Sequence, residues 1–250
     1  MPNTRFSDKP PVVVGCAGWS LSSRTASFFP EQGTHLERYA QVFGAVEINS
    51  SFYREHQAKT YARWAASVPE AFRFSVKVPR TITHERRLRD VGDLLSRLAD
   101  QLAGLGEKLG CLLVQLPPSL ALDPWCAEAF FADLRVRIDA PMVCEPRHTS
   151  WFSAAAQTLL RQWAVDYVLA DPVPVSGVQA PDPNHIAYMR LHGAPVMYYS
   201  SYDDAFIAQR AAEALALAQM GRQVWCMFDN TAQGAAIPNA LTLMSRLKDG

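Results

Sequence analysis

Residues capable of acid–base and anion-binding chemistry recur at the ends of short apolar runs in this 250-residue chain. Glu47 and Asn49 close one run, two positions apart, with Tyr53 just beyond. Lys77 closes the next and is followed by Arg80 and His84. Gln115 ends a third, and Glu145, Arg147 and His148 end a fourth. Asp171 closes another, Tyr188, Arg190 and His192 alternate along the one after it, and Asp229 with Asn230 ends the last. Lys77, Arg147 and Arg190 suit an anion clamp, since guanidinium groups bind phosphate or carboxylate in bidentate fashion. Arg80 extends that set. Glu47, Glu145 and His192 suit general acid–base work, and Lys77 joins them as a candidate catalytic group. Asn49, Tyr53, Gln115, Asp229 and Asn230 are candidate substrate-binding and orienting residues. For each acid an ion pair with a neighbouring arginine is the competing role, and Glu145 with Arg147 has the spacing of such a pair.

Metal chemistry has a weaker basis. Glu47, Glu145, His148, Asp171, His192 and Asp229 offer oxygen and nitrogen ligands. Yet no HxH or HExxH spacing occurs, and Lys77 and Arg147 would repel a divalent cation. The expectation is no metal and no cofactor.

These residues need elements that bring them together. Eight runs rich in β-branched residues end where the polar residues lie: Val12 to Trp19, Ala45 to Ser51, Arg73 to Pro79, Gly110 to Pro117, Pro141 to Arg147, Asp166 to Pro172, Ile186 to Gly193 and Gln223 to Asn230. Most are almost continuously apolar, the pattern of parallel strands buried on both faces. Alternate strand residues point the same way, so Glu47 with Asn49, Glu145 with Arg147, and Tyr188 with Arg190 and His192 can each share a face. Between the runs, helical periodicity appears at 34–43, 59–68, 91–105, 153–163, 204–220 and 236–247. Another helix opens at Pro124 after a capping Asp123. The proline-rich stretch after Asp171 has no helical period, so a loop replaces one helix there.

Eight strands alternating with helices predict a single (β/α)8 TIM-like barrel over residues 12–250, preceded by a tail over 1–11. An open doubly wound sheet is the alternative architecture; no glycine-rich dinucleotide loop follows the first strand. In a barrel the strand ends named above form one rim.

Composition agrees with a folded, uncommitted surface. Apolar residues make up 49% and charged residues 19%, enough for a sizeable core. Basic and acidic residues balance at 24 each, so no global field draws the chain to nucleic acid or lipid. The five cysteines stand singly, and no apolar run is long enough to span a membrane; together they point to a reducing, cytoplasmic setting.

In order, GCAGWS, VEINSSFYR, FSVKVPRTITHERRL, LGCLLVQLPPSL, CEPRHTSWF, YMRLHG and VWCMFDNTAQGAAIPNALTL resemble the motifs of the DUF72 (YecE-like) family. The resemblance runs from about Val12 to Leu247 and implies a TIM barrel, with no activity attached. Asp229 departs from the asparagine that the motif leads one to expect, and Pro146 from an aromatic residue.

Three functions fit. The first is an enzyme, a hydrolase or isomerase, acting on a small anionic substrate at the rim. The second is a metal-dependent nuclease-like or nucleic-acid-binding barrel using Arg80, Arg86 and Arg87 on phosphates, against which the balanced charge argues. The third is a non-catalytic metabolite sensor. Oligomeric state is left open.

Overall fold

The structure is a computed structural model that describes residues 12–249. Eight parallel strands run as β1 (Val12–Cys16), β2 (Ala45–Ile48), β3 (Arg73–Lys77), β4 (Leu109–Gln115), β5 (Met142–Glu145), β6 (Val165–Asp171), β7 (Ile186–Leu191) and β8 (Gln223–Phe228). They are ordered β1-β8-β7-β6-β5-β4-β3-β2, and an isolated parallel bridge from Ala17 to Glu47 brings the two edge strands together. The expected (β/α)8 barrel is therefore nearly closed. The postulated tail, residues 1–11, lies outside the described residues.

Strand alternation divides the apolar residues into two cores. Val14, Val46, Val76, Val114 and Cys144 face outward against the helices. Val13, Ala45, Leu113, Val143, Val168, Tyr188, Trp225 and Met227 fill the barrel interior. Tyr188 and Trp225 stack there with ring centroids 5.9 Å apart. Gly110 makes room for the indole: a Cβ at that position would lie 2.6 Å from the Trp225 ring. With the lower barrel filled by apolar side chains, the polar inward positions come at the C-terminal end.

The helices are α1 (His35–Ala40), α2 (Ala58–Ala66), α3 (Gly92–Leu102), α4 (Pro124–Arg137), α5 (Ala154–Gln162), α6 (Asp204–Gln219) and α7 (Ala236–Asp249). Side-chain caps fix several starts, with Asp123 on α4, Ser153 on α5 and Asp203 on α6 accepting from backbone N–H groups. The β6–β7 connection has no helix, as its prolines predict. Asp166 ties its return instead. One carboxylate oxygen accepts from the Asn184 N–H at 2.6 Å, the other from the N–H groups of His185 and Ile186 at 3.0 and 2.9 Å.

The seam between β1 and β2 is closed by a side chain. Gly15 lies so near Ala45 that a Cβ would sit 2.2 Å from its carbonyl oxygen. The Tyr39 hydroxyl, fully buried, donates to the Ala45 carbonyl at 3.0 Å and accepts from the Cys16 N–H at 2.8 Å. It thus satisfies one group on each strand that no ladder bond serves. Tyr39→Phe leaves both unpaired, and each buried orphan costs about 1–3 kcal/mol. The expected result is a loss of about 2–4 kcal/mol in urea unfolding, seen as a lower midpoint at unchanged slope; an unchanged midpoint would remove the seam role.

Candidate functional site

Arg190 occupies the centre of the barrel mouth. It lies on β7, one inward step above Tyr188, and is 0% exposed. Its Nε donates to Glu47 Oε2 at 3.0 Å and its Nη2 to Glu47 Oε1 at 2.8 Å. Nη1 donates to Glu145 Oε2 at 3.1 Å, and Nη2 also lies 2.7 Å from Asp229 Oδ2. One guanidinium therefore joins acids from β2, β5 and the end of β8. A charge so deep in the protein requires such partners. Burial alone would lower the Arg190 pKa, but Asp229, Glu47 and Glu145 hold it well above the ordinary value.

A second ring of contacts fixes the acids. Glu145 Oε1 accepts from Arg147 Nε and Nη2 at 3.0 and 2.8 Å and from Gln115 Nε2 at 2.9 Å. The Tyr188 hydroxyl donates to Glu47 Oε2 at 2.9 Å and sits 2.8 Å from the Ser75 hydroxyl. His192 bridges two acids, with Nε2 3.4 Å from Glu145 Oε1 and Nδ1 3.1 Å from Asp229 Oδ2. Burial opposes the charged imidazole, yet Glu145 and Asp229 outweigh it and raise the His192 pKa. Burial would raise Glu145 and Asp229, but Arg190 and His192 keep both below the usual carboxylate range.

Lys77 is different. It ends β3 in the same inward layer and is buried, yet it forms no ion pair among the described residues. Its Nζ lies 4.0 Å from the centroid of the Phe52 ring, a cation–π contact. Burial, then the Arg190 charge, lowers its pKa to about 8 even though Glu47, Glu145 and Asp229 pull the other way. Beside it a π-helical turn, Thr81–Glu85, presents His84, whose ring meets Phe52 edge-on at 4.9 Å. Burial, Lys77, Arg147 and Arg80 together push His84 down to about 4. Burial is the largest of these causes, and the three nearby cations add to it.

The sequence-predicted residues divide accordingly. Glu47, Lys77, Gln115, Glu145, Arg147, Arg190, His192 and Asp229 come together. Asn49 follows the end of β2 rather than lying within it, because the chain turns into a 3-10 helix (Ser50–Phe52). Its Oδ1 is buried and has no hydrogen-bond partner among the described residues. Arg80 pairs outward with Glu85 at 3.1 Å. Tyr53 is 69% exposed, packed edge-on against Phe52 at 5.0 Å. Asn230 is buried and donates to the Ser200 carbonyl and to Asn239 Oδ1, so it fastens a loop. His148 accepts from the Ser150 N–H, and Asp171 meets the Tyr202 hydroxyl at 2.9 Å. The basic stretch is largely occupied: Arg87 donates to Ser119, and Arg89 pairs with Asp123 at 2.6 Å.

Three further contributors come from the loops after the strands, among them His84, which the sequence places behind Lys77. Phe52 and His84 flank Lys77. Tyr198 packs edge-on against His192 at 5.5 Å, and its hydroxyl is 3.5 Å from Arg147 Nη2. Its φ of 70° is a strained conformation for a residue with a side chain, of the kind that clusters at functional sites. Its place in an aromatic-rich loop is the one sequence signal for it. Among the described residues no group of three or more His, Cys, Asp or Glu side chains is arranged to hold a metal ion, and no helix is long and apolar enough to cross a membrane.

The family profile described as "Protein of unknown function DUF72" matches residues 13–250. The UPF0759 protein YecE of Escherichia coli (strain K12) is 31% identical over 147 residues, covering 57% of this chain. That match spans about half, 54%, of the relative's own length. The UPF0759 protein YunF of Bacillus subtilis (strain 168) is 24% identical over 276 aligned positions, 94% of each chain. A DUF72 family protein of Thermotoga maritima has the same fold with a TM-score of 0.80 at 24% identity, covering 95% of this chain and 99% of that one. One from Enterococcus faecalis gives 0.76 at 21% identity, covering 95% of each.

Two outcomes follow from the charges. Arg190→Met leaves three buried carboxylates without their shared cation. The expected loss is about 3–5 kcal/mol at neutral pH, shrinking as acid protonates the carboxyls; calorimetry across pH 4 to 8 checks it. Lys77→Met removes a buried ammonium that has no ion pair. Because the folded pKa of about 8 lies below the ordinary 10.5, the charged form destabilises the fold below pH 8. The variant should therefore gain up to about 3 kcal/mol at pH 7, a gain that fades between pH 8 and 10.5. A loss at pH 7 would contradict this.

Proposed function

We propose, for a chain that belongs to the DUF72 family of proteins of unknown function, that the barrel mouth is the active site of an enzyme acting on a small anionic substrate. The observation that carries this reading is Lys77, a buried ammonium with no carboxylate of its own. Three acids (Glu47, Glu145 and Asp229) face three cations (Arg190, Arg147 and Lys77). Arg190 uses every acid and Arg147 uses Glu145, so the open positive end of the set is at Lys77.

Arg147 supplies the second open donor. Its Nε and Nη2 are held by Glu145, its Nη1 has no partner among the described residues, and its side chain is 22% exposed. Lys77 Nζ and Arg147 Nη1 hold the anionic group. Arg190, whose three nitrogens all meet protein carboxylates, is a positioning residue that keeps the acids in place. His192, between Glu145 and Asp229, gives and takes the proton, and its raised pKa keeps an acid available near neutrality. Asn49, with its open acceptor, orients a donor of the substrate, and Gln115 orients Glu145. Hydrolysis or isomerisation is the reaction class these groups suit.

His84 makes the test direct. Titration followed by NMR should place the free imidazole near pH 4. Burial is the larger cause of the depression, and Lys77 and Arg147 supply part of the rest, so inorganic phosphate or pyruvate bound at those two cations offsets that part and the midpoint should rise. Affinity for either anion should fall as pH rises through about 8, where Lys77 loses its charge. If neither anion moves the His84 midpoint, the mouth is not an anion site.

A further inference from the structure

Nucleophiles elsewhere in the barrel are silenced by burial. The Cys16 and Cys226 thiols are pushed up to about 12, and burial raises Cys111 and Cys144 well above the ordinary thiol value. Lys77 is the opposite case. Its amine is at the mouth, no ion pair fixes it among the described residues, and it lies over the apolar face of Phe52 at 4.0 Å. The three acids of its layer are engaged by Arg190, Arg147 and His192. A surface-like lysine would lie in solvent; a structural buried lysine would have a carboxylate. Lys77 has neither arrangement.

We propose that Lys77 is a nucleophile that forms a Schiff base with a small carbonyl compound bearing a carboxylate or phosphate group. The inference rests on the reading of the mouth as an anion site and names the substrate class for it. Arg147 Nη1 takes the anionic group and so orients the carbonyl carbon toward Nζ.

The surroundings suit each step. The lowered pKa leaves an appreciable fraction of Lys77 neutral at pH 7, on the order of a few hundred times the fraction for an ordinary lysine. Asp229 Oδ1 has no hydrogen bond among the described residues, and its charge acts on Lys77. His84 is neutral above about pH 4, with Nδ1 2.8 Å from the Thr83 hydroxyl. Neither group keeps an added proton at pH 7, so each serves as a relay that passes the ammonium proton on to solvent. The free amine then attacks the carbonyl carbon; a C–N bond forms as the π electron pair moves onto oxygen, which gains a proton. The nitrogen loses one proton to the same relay. The relay returns a proton to the hydroxyl, and water leaves as the C=N bond forms. One ammonium and one carbonyl thus become one protonated imine and one water, with no redox change. The positive charge leaves the nitrogen while the free amine attacks and returns over the Phe52 face as the iminium forms, so the ring and the three acids favour the iminium as they favour the ammonium.

Reductive trapping tests this on the full chain. The protein is incubated at pH 7 with sodium cyanoborohydride and, separately, pyruvate, 2-oxoglutarate, glyceraldehyde 3-phosphate or dihydroxyacetone phosphate, then mapped by peptide mass spectrometry. Hydride adds to the iminium carbon and leaves a stable secondary amine. The chain has five lysines, so assignment is unambiguous. At least one probe should label Lys77 at least about ten times faster than Lys59 or Lys108. Inorganic phosphate should slow that labelling by competing for Arg147. Lys77→Arg should abolish the adduct while circular dichroism reports a folded barrel. Labelling spread evenly over the lysines, or none at Lys77 with any probe, overturns the proposal. If phosphate and pyruvate still shift His84 in that case, the anion site stands and the nucleophile alone is wrong. If they do not, both readings fail.

Discussion

A guanidinium placed in the dry interior of a barrel must be neutralised where it sits, and much of this molecule follows from that need at Arg190. Removing an ion from water costs several kcal/mol, and only close, well-directed partners offset it. Here the partners come from β2, β5 and β8, so the arginine on β7 links strands that are not neighbours in the sheet. Three carboxylates exceed what one guanidinium neutralises, and the excess recruits Arg147 and His192 from the rim. Asp229 is the acid that creates the excess. The asparagine expected from the family motif would leave Arg190 two carboxylates and His192 one. The extra charge is part of what raises His192 and opposes the lowering of Lys77.

Such a cluster holds its geometry only on a rigid frame, and three polar side chains complete that frame where regular structure stops. Tyr39 joins β1 to β2 at the seam, next to the Ala17–Glu47 bridge that seats the first acid. Asp166 receives three backbone N–H groups where the helix between β6 and β7 is absent, fixing the start of the strand that bears Arg190. Asn239 on α7 accepts from the Tyr202 N–H and donates to its carbonyl, holding the loop that sets Tyr198 over His192. In each case a side chain supplies the bond that a ladder or helix would otherwise make.

Much of this was legible in the residues alone. Eight apolar runs gave the barrel, and the period of two along β5 and β7 placed Glu145 beneath Arg147 and Arg190 between Tyr188 and His192. Prolines after Asp171 announced the missing helix. Parity failed for Asn49, because periodicity does not reveal that β2 ends at Ile48 and turns. Sequence could not distinguish Arg147, partly open, from Arg190, fully enclosed, since that depends on which strands meet across the barrel. Nor could it show that Lys77 alone lacks a carboxylate. Tyr53 and Arg80 look like rim residues in sequence, but loop geometry turns both outward.

The near cancellation of charge at the mouth also decides what can approach it. The chain carries equal numbers of acidic and basic residues, and the mouth sets Glu47, Glu145 and Asp229 against Arg190, Arg147 and the titratable Lys77. A field with so little net charge is local, and salt screens it within a Debye length of about 8–10 Å. Attraction is therefore felt inside the mouth and not across the surface. Within the mouth the uncancelled positive end lies at Lys77 and Arg147, whose charges add to the lowering of His84. The protein partners of these two cations are missing for Lys77 and incomplete for Arg147 among the described residues. The same incompleteness weakens the fold at Lys77. A buried ammonium with no carboxylate of its own carries a desolvation cost that an apolar side chain would not.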